Sequence, residues 1–193
     1  ALYNCVLSGM SLDGKNFFYV NPMEVNPEYD GKVTGYKHVL PTRPSWYGCA
    51  CCPPNIARLI SSLGHYVWTW DEDAVYSHLF IGGELDLTAE KGIKITLETN
   101  QPYGGSVKYT VSAKEKTSLT LAVRIPDWSI DNYTITLNGK KSNSEIKKGY
   151  AYISGEFADG DVVELTLDMT PKKIYSNVIV RENQNGVAIQ RGP

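Results

Sequence analysis

The chain lacks several features that would have settled its class at once. Positive charge is not in excess: Lys and Arg number 19 against 21 Asp and Glu, a net charge of -2. No lysine run or basic stripe suits a phosphate backbone, so nucleic acid is not an expected partner. No apolar run is long enough to span a bilayer as a helix, and no membrane partner is expected. Histidine occurs 3 times, at scattered positions. Cysteine occurs 4 times, without the paired two-residue gaps of a zinc ribbon or knuckle, which argues against a self-contained zinc module. Internal repeats and low-complexity tracts are also missing.

What is present is enough to build a core. The chain has 193 residues and is 42% hydrophobic, room for one large domain or pieces of two. It opens on Ala-Leu-Tyr-Asn-Cys-Val-Leu without a methionine and closes on Ala-Ile-Gln-Arg-Gly-Pro after a strand-like run. Both ends read as cuts, so a piece of a longer protein is expected. The 13 tyrosines and 4 tryptophans are many for this length. Aromatics at loops and sheet edges can face sugars, but for most of these a place in the core is expected, because buried rings dominate packing energetics.

The pattern changes character once along the chain. Residues 1–12 read as helical, with Leu2, Val6 and Met10 at spacing four. Residues 11–15 read as a turn, and Phe17-Phe18-Tyr19-Val20 as a short strand closed by Asn21-Pro22. From 21 to 50 no period is visible, and a long irregular loop is expected. Pro53 and Pro54 suit a first helical turn, and Ile56, Leu59, Ile60 and Leu63 make an apolar stripe behind them. After Asp71 short alternating runs follow one another at 75–81, 93–98, 107–111, 119–125, 133–137, 150–153, 162–167 and 178–180, each bounded by turn residues. Asn138-Gly139 between two such runs is a two-residue hairpin signal. The expectation is therefore a mainly β chain. Residues 1–70 form two helices and an irregular loop, and residues 71–193 form an antiparallel β-sandwich.

The chemistry concentrates in one place. Residues 46–55 read Trp-Tyr-Gly-Cys-Ala-Cys-Cys-Pro-Pro-Asn, and three of the four cysteines, Cys49, Cys51 and Cys52, fall within four positions. Adjacent cysteines such as Cys51 and Cys52 pair badly, since the small ring strains disulfide geometry. Metal binding or thiolate chemistry remains, beside the plainer reading that all three are small buried hydrophobes. Cys51 and Cys52 stand at or just before a helix N-terminus, where the helix dipole favours an anion and a thiol loses its proton more readily. His38 lies in the same loop and is a weak candidate. Tyr19 could present a hydroxyl to a sugar. Glu24 and Glu28 flank the loop and read as solvated surface, while His65 and His78 read as structural. Asn132-Tyr133-Thr134 matches a glycosylation sequon, a short and weak motif.

The stretch Gly48-Cys49-Ala50-Cys51-Cys52-Pro53-Pro54-Asn55 resembles the cysteine-rich signature of glycoside hydrolase family 127, the β-L-arabinofuranosidases. The resemblance extends to Ala1-Leu2-Tyr3-Asn4, Leu12-Asp13-Gly14, Phe17 to Pro22, Ile56-Ala57-Arg58, Arg124-Ile125-Pro126, Leu137-Asn138-Gly139, Gly160-Asp161 and Gln190-Arg191-Gly192-Pro193. It implies that residues 1–70 are the last part of an (α/α)6 barrel and that 71–193 are the first of its β-sandwiches. It implies an oligosaccharide or glycoside substrate and a zinc ion held partly by Cys51 and Cys52. Cys51 would be the nucleophile of a retaining mechanism, and Tyr19 would contact substrate. The acid/base glutamate and the glutamate–cysteine half of the zinc site would lie before Ala1, in the remainder of the barrel, so this piece alone is expected to be inactive. Cys49 matches the signature without a ligand role, Cys5 has no assigned role, and Phe157 reads as packing.

Two other readings stand beside this one. The sandwich could be a non-catalytic carbohydrate-binding or scaffolding module, needing none of the cysteines. Alternatively, the cluster could be a small structural zinc site, which a chelator would unfold. The compartment stays open: free thiols persist in a reducing cytoplasm, and metal ligation protects them elsewhere.

Overall fold

A computed structural model describes residues 2–20, 25–49 and 51–193. The chain divides into two compact units, Ala1–Leu63 and Gly64–Pro193.

The first unit has little regular structure. One π-helical turn, Leu2–Val6, runs into a short helix α1, Leu7–Gly9. The helix expected over 1–12 stops here because Met10 is extended and bridges Phe17. The strand expected at 17–20 does not form. Phe17 N–H donates to Pro44 O at 3.1 Å and Phe18 N–H to Gly9 O at 2.9 Å. Neighbouring residues thus bond to two different segments, and one of these is flanked by prolines that have no N–H to extend a ladder. Asn21-Pro22 and Glu24 lie outside the described residues. From 25 to 49 the chain is a succession of turns, as the sequence implied, and Glu28 is exposed. Asp30 is buried and accepts the Asn26 N–H at 2.7 Å, tying one of these turns.

Helix α2, Cys52–Ser61, follows, with proline in its first turn. Proline is harmless there because the first-turn N–H groups have no helical partner. The apolar stripe behaves unlike a core face. Ile56, Leu59 and Leu63 are half-buried and Ile60 is 51% exposed.

The second unit is the sandwich. A short helix α3, Gly64–Val67, leads into β1, Trp68–Trp70. The strands that follow are β2 (Ala74–Ser77), β3 (Gly83–Leu87), β4 (Ile93–Thr99), β5 (Ser106–Ala113), β6 (Thr117–Arg124), β7 (Tyr133–Leu137), β8 (Lys140–Lys141), β9 (Glu145–Lys147), β10 (Tyr150–Phe157), β11 (Val162–Leu167), β12 (Lys172–Ile174) and β13 (Ala188–Gln190). One sheet runs in the order β1-β2-β6-β10-β9, a second in the order β3-β4-β5-β11-β7-β8, and β12 pairs β13 alone. Pairing is antiparallel except between β2 and β6, which run parallel.

Alternation decides which face is buried. Ile93, Ile95 and Leu97 on β4, Val107, Tyr109 and Val111 on β5, and Val163, Leu165 and Leu167 on β11 are buried from one sheet. Val75, Leu121, Val123, Ala151 and Ile153 meet them from the other. Tyr109 ties the sheets together: its hydroxyl donates to Ser77 Oγ at 2.9 Å, both residues being buried, and its ring stands edge-on to Trp68. Phe157 is buried, as a packing residue should be. The expectation that most aromatics are core is not met. Trp68, Phe80, Tyr109 and Phe157 are buried, while Tyr66, Trp70, Tyr103 and Tyr175 are exposed, as are Tyr29, Tyr36 and Trp46 of the first unit.

The hairpin signal at Asn138-Gly139 is realised. Both residues have positive φ, 52° and 75°, as a two-residue turn matched to strand twist requires. The strand expected at 178–180 is instead a turn. Asn177 accepts the Ile179 N–H on its side chain at 3.0 Å and the Val180 N–H on its carbonyl at 2.9 Å, which folds the chain back on itself. His78 is structural, as read: its ring nitrogens lie 2.7 Å from Thr69 Oγ1 and 2.7 Å from the Tyr150 hydroxyl. His65 is exposed on α3.

Candidate active site

Cys51 is the N-cap residue of α2 and Cys52 its first residue. The local sequence explains why the helix starts here. Pro53 and Pro54 pre-set helical φ, and Asn55 reaches back so that its Nδ2 donates to Cys51 O at 2.7 Å. Arg58 in turn donates to Asn55 Oδ1 at 2.7 Å. This chain of bonds along one helix face holds the Cys51 peptide in place.

The three sulfurs converge. Cys51 Sγ lies 3.7 Å from Cys52 Sγ and 3.9 Å from Cys49 Sγ. Cys49 and Cys51 are exposed and Cys52 is half-buried, so the cluster is not a set of small core residues. The two neighbours in the helix cap differ in acidity. Hydrogen bonds from Cys52, then Cys49, with a further one from Tyr19, hold the Cys51 thiol below its ordinary pKa. Desolvation, followed by its bond to Cys51, pushes Cys52 up. Negative charge on Cys49 and Cys51 keeps the Tyr19 hydroxyl protonated to higher pH than usual, which makes it a proton donor toward the sulfurs.

Beside the sulfurs lies an open cavity of about 380 Å³ lined by Tyr19, His38, Tyr47, Gly48 and Cys49. Its wall is an aromatic cluster. Tyr19 stands edge-on to His38 at 5.8 Å and tilted on Tyr47 at 5.4 Å, and Phe17 is also tilted on Tyr47, at 5.4 Å. Arg43 lies over the Phe18 ring at 4.5 Å and donates to Ser8 O, pinning the loop to α1. The residues singled out from sequence, Tyr19, His38, Cys49, Cys51 and Cys52, are thus brought into one site. Tyr47 was missed. Its signal was its position two residues before Cys49, in a stretch read only for its thiols.

The donor set can be tested against a metal. Tetrahedral zinc with Zn–S bonds of ~2.3 Å places two thiolates ~3.8 Å apart, and the Cys51–Cys52 separation of 3.7 Å fits that edge. Among the described residues no group of three or more His, Cys, Asp or Glu side chains is arranged to hold a metal ion. The Cys51 and Cys52 sulfurs thus fit two positions of such a donor set.

Comparisons with known proteins agree across both units. The family model for the Beta-L-arabinofuranosidase GH127 catalytic domain matches residues 1–65, and that for the Beta-L-arabinofuranosidase GH127 middle domain matches residues 74–169. A non-reducing end beta-L-arabinofuranosidase of Bifidobacterium longum subsp. longum is 39% identical over the whole of this chain, which covers 30% of its length. The crystal structure of a GH127 beta-L-arabinofuranosidase from Geobacillus stearothermophilus T6 superposes with a TM-score of 0.88 at 45% identity, covering all of this chain and 30% of that one. A solved GH127 beta-arabinofuranosidase matches with a TM-score of 0.82 at 34% identity, covering 31% of its own chain. The chain spans about a third of the length of these relatives. Both family models match, in that order along the chain, and the chain belongs to glycoside hydrolase family 127.

Proposed function

We propose that this chain supplies the nucleophile and half of the metal site of a retaining glycoside hydrolase that removes β-L-arabinofuranosyl residues. The observation that carries the reading is the convergence of Cys51, at the helix cap, with Cys49, Cys52 and Tyr19 beside an aromatic cavity. A nucleophile needs an ionised sulfur, a fixed direction of attack and a place for the sugar next to it. The helix N-terminus and the donors around Cys51 serve the first need, and the Asn55–Arg58 bonds serve the second. The cavity between Tyr19 and His38 serves the third, with the Tyr19 hydroxyl at its wall, where it can turn from the sulfurs to a sugar hydroxyl.

In this mechanism Cys51 Sγ attacks the anomeric carbon and the bond to the leaving oxygen breaks. A carboxylic acid from the remainder of the catalytic barrel protonates that oxygen. Water then displaces the sulfur from the opposite direction, restoring the original configuration. Cys51 and Cys52 would hold zinc, which when bound keeps a coordinated thiol ionised. The acid/base and the other metal ligands come from outside these residues, so the isolated chain is inactive on this reading.

The test uses the full-length protein and an aryl β-L-arabinofuranoside. Wild type should hydrolyse it, and Cys51→Ala should lose several orders of magnitude in kcat/KM, because the covalent pathway goes with the sulfur. Equal rates in the two proteins would refute the thiolate mechanism.

A further inference from the structure

Beyond its hydrogen bond to Cys51, Cys49 takes no part in the reading above, and its sulfur sits 3.9 Å from that of Cys51. It also lines the open cavity beside the cluster, and both residues are exposed. A disulfide needs its sulfurs to close to ~2.05 Å, so these two must approach by roughly 2 Å, within the reach of side-chain rotation. Cys52 is at 3.7 Å from Cys51 and is nominally nearer. As the adjacent residue, however, it would close a small strained ring, whereas Cys49 is separated by one residue. Distance and ring strain therefore select different partners for Cys51, and strain decides.

We propose that Cys49 is a resolving thiol, which captures Cys51 as a reversible disulfide when a peroxide oxidises it. The chemistry balances in two steps. Cys51–SH reacts with a hydroperoxide, ROOH, giving Cys51–SOH and ROH; sulfur is oxidised and the O–O bond is reduced. Cys49–SH then attacks the sulfenic sulfur, forming the Cys49–Cys51 bond and releasing water. Without a neighbouring thiol, a sulfenic acid proceeds to sulfinic and sulfonic acids, which thiol reductants do not reverse. The aromatic wall of Tyr19 and Tyr47 places the cluster beside a cavity of sugar size, and a site that admits a sugar also admits a peroxide. The device would protect the sulfur on which hydrolysis is proposed to depend, and would cost activity only while it is closed.

The test reads mass, not hydrolysis, so its failure is distinguishable from failure of the glycosidase reading. The full-length protein is treated with hydrogen peroxide, alkylated and analysed by intact mass and peptide mapping, before and after a dithiol reductant. Wild type should lose two hydrogens, with the link mapped to Cys49–Cys51, and reduction should restore it. Cys49→Ser should instead gain two or three oxygens at Cys51 that the reductant does not remove. Cys52→Ser should still form the Cys49–Cys51 link, which separates a specific resolving role from general loosening of the cluster. A link mapped to Cys51–Cys52, or oxygen uptake at Cys51 as fast in wild type as in Cys49→Ser, would overturn the proposal.

Discussion

The two units of this chain are stabilised differently. In the first, Gly9 and Asp30 are the buried residues among those described. In the second, buried apolar side chains run from Val67 to Leu167 and fill two facing sheets. Each fully buried aliphatic side chain contributes ~1.5–3 kcal/mol relative to exposure. The sandwich therefore carries most of the hydrophobic stabilisation, although the chemistry proposed above lies in the first unit. In that unit, hydrogen bonds from the Asn55 and Arg58 side chains, tilted ring contacts and proline set the geometry. A site needs unsatisfied groups at a surface, a core needs none, and this chain keeps the two apart.

The contrast can be broken experimentally, beginning where the effect should be largest. Leu165→Ala removes a fully buried side chain at the centre of β11 and should cost ~2–5 kcal/mol in denaturant unfolding of the sandwich. A loss under 1 kcal/mol would mean that the core is looser than its burial implies. Next, Tyr109→Phe keeps the ring beside Trp68 but strands the buried Ser77 hydroxyl. It should cost ~1–3 kcal/mol, and Tyr109→Phe combined with Ser77→Ala should recover part of that. In the first unit, Ile60→Ala truncates a side chain that is 51% exposed, and the unfolding free energy should change by no more than ~0.5 kcal/mol. A change like that of Leu165→Ala would show that the α2 stripe is covered in solution.

The smallest effect is electrostatic. Asp86 is held at about 2 by the Thr88 hydroxyl and N–H, with Lys94 at 3.0 Å adding to them. Its folded pKa lies below the unfolded value, so its contribution is complete above the ordinary carboxylate range and fades as pH falls toward 2. The carboxyl carbon shift, followed by NMR, should titrate near 2, and in Thr88→Val the midpoint should rise toward the ordinary value. An unchanged midpoint would assign the shift to the backbone N–H of residue 88 and to Lys94.

Much of the site was legible because it is local. Three thiols in four positions and two prolines at a helix start are statements about neighbours in sequence, and the helix cap realises them. The Asn138-Gly139 turn is legible for the same reason, since positive φ is a property of the residue itself. The three-residue strands β1, β9, β12 and β13 were not read, because periodicity needs more residues than they have. The apolar run at 17–20 misled in the opposite way. Its hydrophobic rings serve an aromatic wall beside the cavity, where a strand was expected.

By itself the sequence determined the family, the class of fold, the turn at Asn138-Gly139 and the start of α2, all of them set by short-range sterics and residue chemistry. Tertiary structure alone decided that β2 lies parallel to β6 and that Tyr109 bonds Ser77 across the sheets. It also decided that Tyr19, His38 and Tyr47 enclose one cavity beside Cys49. These pairings join residues far apart in the chain. Their loop-closure entropy is repaid only when many contacts form together, and no local window contains that sum.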